Sequence, residues 1–364
     1  MPMPPYIAPW YLRNGMAMTA YIAWQASRTW ETTIDLPAPP HRDHVFQGDD
    51  GVPIYGQISI PPNPKGTIVG TYGIVGELGN QWFLELLRRK AYGDGYAVVL
   101  FDWRAHGVTG QLSPALTSDG INEGKDFIHI AAQAQALGCP APLFFAAYSL
   151  GGQLALWGIH YLASLDDWAT GALRQFNPDD VGGASVVCPN LDSTRSLRYL
   201  VSSPLGRYVE QRITSGLKDL SRELQQCHPG EISDEALSRA DSIWNFDKEL
   251  VIPRLGFDTV DDYYQACKPL PLLPTLPKST LIMYAADDPL FSPVLVPELK
   301  AACAPNPNIK LLVTKHGGHV GYFSSAEGQA IAQDPDPWWA WNRTLDWFNQ
   351  KIGETKRPLT QAVH

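Results

Sequence analysis

Residues 142–157 read PLFFAAYSLGGQLALW. Within them, Leu143 to Tyr148 is an apolar, aromatic-rich run, too short for a helix and with the character of a buried strand. It stops at Ser149, Leu150, Gly151 and Gly152, after which Leu154, Ala155 and Leu156 resume as good helix formers. Strand, small-residue turn and helix in that order are the setting of a nucleophile elbow. Such a turn lifts the serine out of the strand and aims it at a cleft. The helix behind it directs backbone N–H groups at any negative charge that develops nearby. The G-x-S-x-G form of the elbow stands here as Ala147-Tyr148-Ser149-Leu150-Gly151, with alanine for the first glycine. That position packs closely against the following helix, and one methyl is the smallest intrusion there.

Outward from this stretch, the whole chain of 364 residues can bury a large core, as one α/β unit or a core with an insertion. Hydrophobic content of 45% and charged content of 18% fit a soluble globular protein. A formal net charge of −9 argues against nucleic acid or anionic lipid as the main partner, although the charges are scattered rather than blocked. The five cysteines (Cys139, Cys188, Cys227, Cys267 and Cys303) are dispersed and lack C-x-x-C spacing. Free, mostly buried thiols in a reducing, cytoplasmic compartment are therefore expected. The first fifteen residues, MPMPPYIAPWYLRNG, carry prolines where a secretory signal has a charged region. The apolar stretch from Met16 to Ala26 falls short of the ~18 residues that span a membrane. It reads as a packed surface arm or short helix, with peripheral membrane contact as the alternative. Oligomeric state is not readable.

Residues 1–40 are proline-rich and read as an irregular N-terminal arm. A hairpin follows, from His44–Phe46 through a turn at 48–51 to Ile54–Ile60. Strands are then expected at Thr67–Thr71, Tyr96–Phe101, Leu143–Tyr148, Ala184–Cys188, Thr280–Tyr284 and Ile309–Thr314. Helices are expected at Gln81–Tyr92, Ile121–Leu137, Leu150–Leu162 and Pro293–Ala302. This alternation implies βαβ units in a mostly parallel central sheet flanked by helices. From 189 to 274 strand signals vanish and a rough helical face of Leu200, Tyr208, Val209, Ile213 and Leu217 appears. That region reads as a helical insertion, or cap, after the sixth strand. It divides the core into 41–188 and 275–352. A last helix from Pro337 to Ile352 carries the stripe Trp338, Trp341, Leu345, Phe348 and Ile352, and 353–364 is a tail.

In open α/β sheets, ligands bind beyond the carboxyl ends of the strands. Those ends deliver Ser149, then Asp287 and Asp288, then His316 and His319, which is the chain order of α/β-hydrolases. A serine hydroxyl needs a base, and imidazole titrates in the right range. His319 follows Gly317-Gly318, a loop able to swing the ring over Ser149, whereas His316 sits nearer the strand as a structural residue. Asp288, three residues after Ala285 and before Pro289, is the expected orienting carboxylate. Asp287 then points away or caps the loop. The oxyanion donors are expected to be the N–H groups of Leu150 and of Ile74 in the loop Tyr72-Gly73-Ile74-Val75-Gly76. Gly73, Tyr72 and Tyr148 are assigned to the substrate pocket. Asp102 and Arg104 read as groups that satisfy loop backbone near the elbow, and His106 as structural rather than a second base. No metal site, P-loop or dinucleotide fingerprint is present, so neither metal nor cofactor is expected.

Four stretches together resemble the YheT-like branch of α/β-hydrolases, which includes plant embryogenesis-associated hydrolases and the yeast medium-chain ethyl ester synthase/esterases. They are Pro9 to Gly15 with Thr19; Tyr148 to Gly152; Phe246-Asp247, Gly256-Phe257 and Asp262-Tyr263-Tyr264; and Ala286 to Pro289 with Gly317 to Gly321. Met16 stands where the branch has histidine, Ala147 where it has glycine, and Tyr72 where it has a small residue or histidine. The resemblance implies the α/β-hydrolase fold, Ser149, Asp288 and His319 as a catalytic triad, and short- to medium-chain acyl esters as substrates. The expected activity is serine carboxylic-ester hydrolysis through an acyl-enzyme on a small-molecule ester. An acyltransferase, ester synthase or thioesterase using the same triad is the first alternative. A non-catalytic binding protein on the same scaffold is the second.

Overall fold

The computed structural model describes residues 3–355. Its centre is one eight-stranded sheet, with β1 at Arg42–Gln47, β2 at Pro53–Ser59, β3 at Thr67–Thr71 and β4 at Ala97–Phe101. The rest are β5 at Leu143–Tyr148, β6 at Val181–Val187, β7 at Thr280–Ala285 and β8 at Ile309–Thr314. Their spatial order is β1-β2-β4-β3-β5-β6-β7-β8, with antiparallel pairing only at β1–β2 and β2–β4. β5 lies inside the sheet and all six of its side chains are buried. A parallel strand covered on both faces has no polar side, which is why LFFAAY reads as a continuous apolar run.

Helices cover the sheet: α1 at Gly15–Ala20, α2 at Trp82–Gly93, α3 at Glu123–Ala136 and α4 at Leu150–Tyr161. Between β6 and β7 come α5 at Ser193–Leu200, α6 at Pro204–Cys227, α7 at Ile243–Phe246 and α8 at Val260–Cys267. After β7 come α9 at Leu295–Cys303 and α10 at Trp339–Thr355. In α10 the stripe Trp341, Leu345, Phe348 and Ile352 is buried. Trp341 also donates its indole N–H to the Phe83 carbonyl on α2 at 2.9 Å. The helices between β6 and β7 gather an apolar cluster of their own, with Leu217, Leu224, Phe246, Leu250 and Tyr263 among its members and Leu116 joining from the core.

Three local expectations change. The N-terminal arm is irregular only in part: Met16–Ala26, read as a packed arm or short helix, is helical, and helical structure extends over almost all of residues 10–33. α1 continues through a wider turn at Tyr21–Ala26 and on through Ser27–Thr29. Met18, Ile22 and Ala26, each one turn apart, are its buried stripe, and Asn14 caps its start by accepting the Ala17 N–H. β6 begins three residues earlier than expected and ends before Cys188, whose φ of 44° takes it out of the strand. Gly182 and Gly183 at the strand's start hide it from an apolar-run reading. A helix at Gly107–Leu112 also follows the Asp102–His106 turn, where none was expected. Of the expected 353–364 tail, residues 356–364 lie outside the described residues.

Candidate active site

Ser149 leaves the end of β5 with φ 56° and ψ −130°, a strained conformation for a residue with a side chain. The surroundings are built to hold it. A side chain on Gly151 would come within 2.2 Å of the Tyr72 carbonyl, and one on Gly73 within 2.9 Å of Ser149 Cβ. The Ser149 N–H is tied to the Val187 carbonyl at 2.9 Å. Ala147, in the place of the elbow's first glycine, is fully buried.

Loops after β7 and β8 bring the other two groups to this point. His319 Nε2 lies 2.8 Å from Ser149 Oγ, and Nδ1 of the same ring lies 2.8 Å from Asp288 Oδ2. The carboxylate is 4% exposed, and its other oxygen accepts the Leu290 N–H at 2.9 Å. Phe291 sets its edge against the imidazole, with centroids 5.0 Å apart. With Nδ1–H donated to Asp288, Nε2 faces the hydroxyl as a proton acceptor, the arrangement a general base needs.

Asp287 does not face Ser149. Its carboxylate accepts the Gly318 N–H at 3.0 Å and reaches His316 Nδ1 at 3.3 Å, so it fastens the histidine loop. A further support was not read from the sequence: Thr19 on α1. Its hydroxyl accepts the His319 N–H at 2.8 Å and donates to the Gly15 carbonyl at 2.8 Å. Gly15 itself presses on the acid loop, since a Cβ there would lie 1.7 Å from the Asp287 carbonyl. The N-terminal helix thus clamps the loops that carry Asp288 and His319.

Leu150 is the first residue of α4, so its N–H has no acceptor within the helix and opens beside Ser149. Ile74, half-buried, lines the cavity in front of the serine. The next N–H in the loop, that of Val75, is already used by His106 Nε2 at 3.3 Å. His106 donates Nδ1–H to the Arg104 carbonyl and stacks on Trp103 at 3.6 Å, and burial lowers its pKa to about 4. It is therefore a neutral acceptor at physiological pH, holding Val75 at φ 67°. This makes His106 a positioning residue for the loop that carries Ile74. His106→Ala is expected to lower kcat by about tenfold or more with little change in KM, through a small misplacement of the loop, and steady-state kinetics on one short ester would measure it.

Two assignments need correction. Tyr72 is fully buried and does not line the cavity, because its hydroxyl donates to Asp102 Oδ1 at 2.6 Å. Tyr148 points away from Ser149 and donates to Gln81 Oε1 at 2.6 Å, its ring packed on Phe83 and Trp341. Successive residues at a strand end face opposite ways, so the neighbour of an outward serine turns inward. Gly73 contributes by its lack of a side chain. Asp102, raised to about 6 by burial, also accepts the Leu78 and Val108 N–H groups, and Arg104 pairs with Asp126 and the Asp49 carbonyl.

Ser149 opens onto a cavity of about 120 Å³. Its walls are chiefly apolar: Ile74 and Leu150 from the core, Leu197, Leu200, Ile213, Leu217 and Phe246 from the inserted helices, and Leu290 and Phe291 beyond β7. Asp119 and Asp247 add a polar corner where burial raises both carboxyls, Asp119 to about 7, and the Tyr264 hydroxyl donates to Asp247. Among the described residues there is no cluster of three or more metal-ligating side chains.

Residues 76–333 match the profile of the Alpha/beta hydrolase family. The chain is 48% identical over 351 residues to the Synechocystis protein named "Putative esterase slr0264", covering 96% of this chain and 95% of that one. It is 29% identical over 186 residues to the Escherichia coli protein named "Putative esterase YheT", about half of each chain. Among solved structures, the Pyrococcus furiosus esterase Pf2001 superposes with a TM-score of 0.52 at 13% identity, over 97% of this chain and 100% of that one.

Proposed function

The chain belongs to the alpha/beta hydrolase family, and on that premise we propose that it is a serine hydrolase of short-chain carboxylic esters, working through an acyl-enzyme. One observation carries the reading: a single imidazole bonded at 2.8 Å to a serine hydroxyl on one side and to a buried carboxylate on the other, at the floor of an apolar cavity. In the proposed sequence Ser149 Oγ attacks the acyl carbonyl while His319 Nε2 takes its proton. Asp288 keeps the ring in the correct tautomer and stabilises the imidazolium. The N–H groups of Leu150 and Ile74 receive the developing oxyanion. His319 then gives its proton to the departing alkoxide, and water, deprotonated by the same nitrogen, releases the acid and regenerates Ser149. The family resemblance to the YheT-like branch and the names of the two curated relatives support an ester as substrate.

The cavity's size supports a short acyl chain. At about 120 Å³ it is smaller than the ~150 Å³ space that admits benzene in a protein core. Each methylene that finds apolar surface is worth ~0.8 kcal/mol, about fourfold in kcat/KM. Across p-nitrophenyl esters from acetate to dodecanoate, kcat/KM is expected to climb about fourfold per methylene to an acyl length of about five carbons and then level or fall. A steady climb to dodecanoate would remove the size-limited acyl pocket from the proposal. Labelling of Ser149 by a fluorophosphonate distinguishes the enzyme from a binding protein on the same scaffold, which would leave the serine unlabelled.

A further inference from the structure

The first 30 residues contain no aspartate or glutamate, two arginines (Arg13 and Arg28), three tryptophans and three tyrosines, in a chain whose net charge is −9. Their structure divides these residues by side. Met18, Ile22 and Ala26 face the core, while Ala20, Trp24 and Arg28, again at intervals of four, face solvent. Trp24 is 68% exposed, with the Arg28 guanidinium 5.5 Å from its ring centre. In the turn before α1, Trp10 is 80% exposed and Tyr11 is 54% exposed, their rings edge to face at 5.7 Å beside the exposed Arg13. Indole and phenol rings have an apolar body and a polar tip, which suits the boundary between water and acyl chains. Cations beside such rings suit an anionic headgroup layer.

We propose that the segment 10–28 is a docking surface for a membrane with anionic lipids, on which Trp10, Tyr11 and Trp24 enter the interface and Arg13 and Arg28 meet the headgroups. Charge complementarity selects this occupant. Among the described residues neither Arg13 nor Arg28 makes an ion pair: Glu31 is paired with Arg89, and Glu327 lines the groove that Trp10 and Arg13 share. The partner is a surface rather than a span, since no helix among the described residues is long and apolar enough to cross a membrane. The inner side of the same helix holds the His319 loop through Thr19 and Gly15, so the docked element is also tied to the loops beneath the proposed site.

The test is co-sedimentation of the full chain with vesicles of phosphatidylcholine alone or with about one-third phosphatidylglycerol, which reads binding without turnover and so stands apart from the proposed ester hydrolysis. Binding is expected to the anionic vesicles and to weaken at high salt. Trp10→Ala and Trp24→Ala should each lower it on the order of tenfold, and Arg13→Gln and Arg28→Gln about fivefold each. Side chains this exposed leave the fold intact, which an unchanged Tm would verify. Equal binding to both vesicle types, no binding to either, or self-association through this face in sedimentation velocity that Trp24→Ala abolishes would each overturn the proposal.

Discussion

Ser149→Ala is expected to lower kcat on p-nitrophenyl butyrate by on the order of 10⁶-fold, with KM nearly unchanged. Among the described residues the Ser149 hydroxyl is the group hydrogen-bonded to His319 Nε2, and the elbow concentrates everything else on it. The strained backbone, Gly73 pressed against its Cβ and the unpaired Leu150 N–H all serve one oxygen. Alanine keeps the Cβ, so packing against Gly73 and the cavity persist, and the loss falls on the chemical step rather than on binding. The catalysis that remains would be what the oxyanion donors and binding supply, about 10³ to 10⁴ over water. The measurement is pre-steady-state release of p-nitrophenol with substrate in excess: the wild type should show a burst of one equivalent per active site and the variant none. A variant retaining more than a hundredth of the wild-type rate would move the chemistry to another residue.

The sequence made the strand ends readable because β5, β7 and much of β3 and β4 are buried on both faces. Residues after such runs are the first that can be polar, and Ser149 and Asp288 stand there; His319 instead follows the edge strand β8, whose residues are half-buried or exposed, and is marked by the Gly317-Gly318 pair before it. Separation along the chain was no obstacle, since sheet topology brings strand ends to one edge whatever lies between them. What stayed hidden depends on contacts with no local pattern. Thr19 meets His319 across 300 residues, and Gly15 meets Asp287 across a similar span. The apolar run from Met16 to Ala26 reads as a packed arm or short helix but announces neither contact, and the prolines before it hide how far the helical structure extends. The pocket assignments of Tyr72 and Tyr148 erred for a different reason. Both stand next to Gly73 or Ser149 in the chain, whereas side-chain direction at a strand end alternates, and both rings turn into the core. His106 reads from the sequence as structural, and its acceptor role toward Val75 requires the loop's fold to be seen.

Asp288→Asn is expected to lower kcat by about 10⁴-fold, against about tenfold or less for Asp287→Asn. The two carboxylates are neighbours in sequence and differ in what they hold. Asp288 uses one oxygen for the Leu290 N–H and the other for His319 Nδ1. In an asparagine the carbonyl oxygen is claimed by the Leu290 donor, so the amide NH₂ is left facing the ring. A donor there forces Nδ1 to be the unprotonated nitrogen and puts the ring proton on Nε2, where it points at Ser149 and cannot accept the serine's proton. The imidazolium of the transition state also loses its anion in a buried site, where that loss is felt most. Asp287 holds the Gly318 N–H and His316, a task an asparagine oxygen can largely keep, so its variant should lose thermal stability more than turnover. The pair is read by kcat, by Tm and by fluorophosphonate labelling rate, which depends on the activated serine and should fall with kcat in Asp288→Asn alone. The reverse ranking, with Asp287→Asn inactive and Asp288→Asn near wild type, would transfer the orienting role to the neighbouring carboxylate and require a loop rearrangement that swings the 287 side chain onto His319.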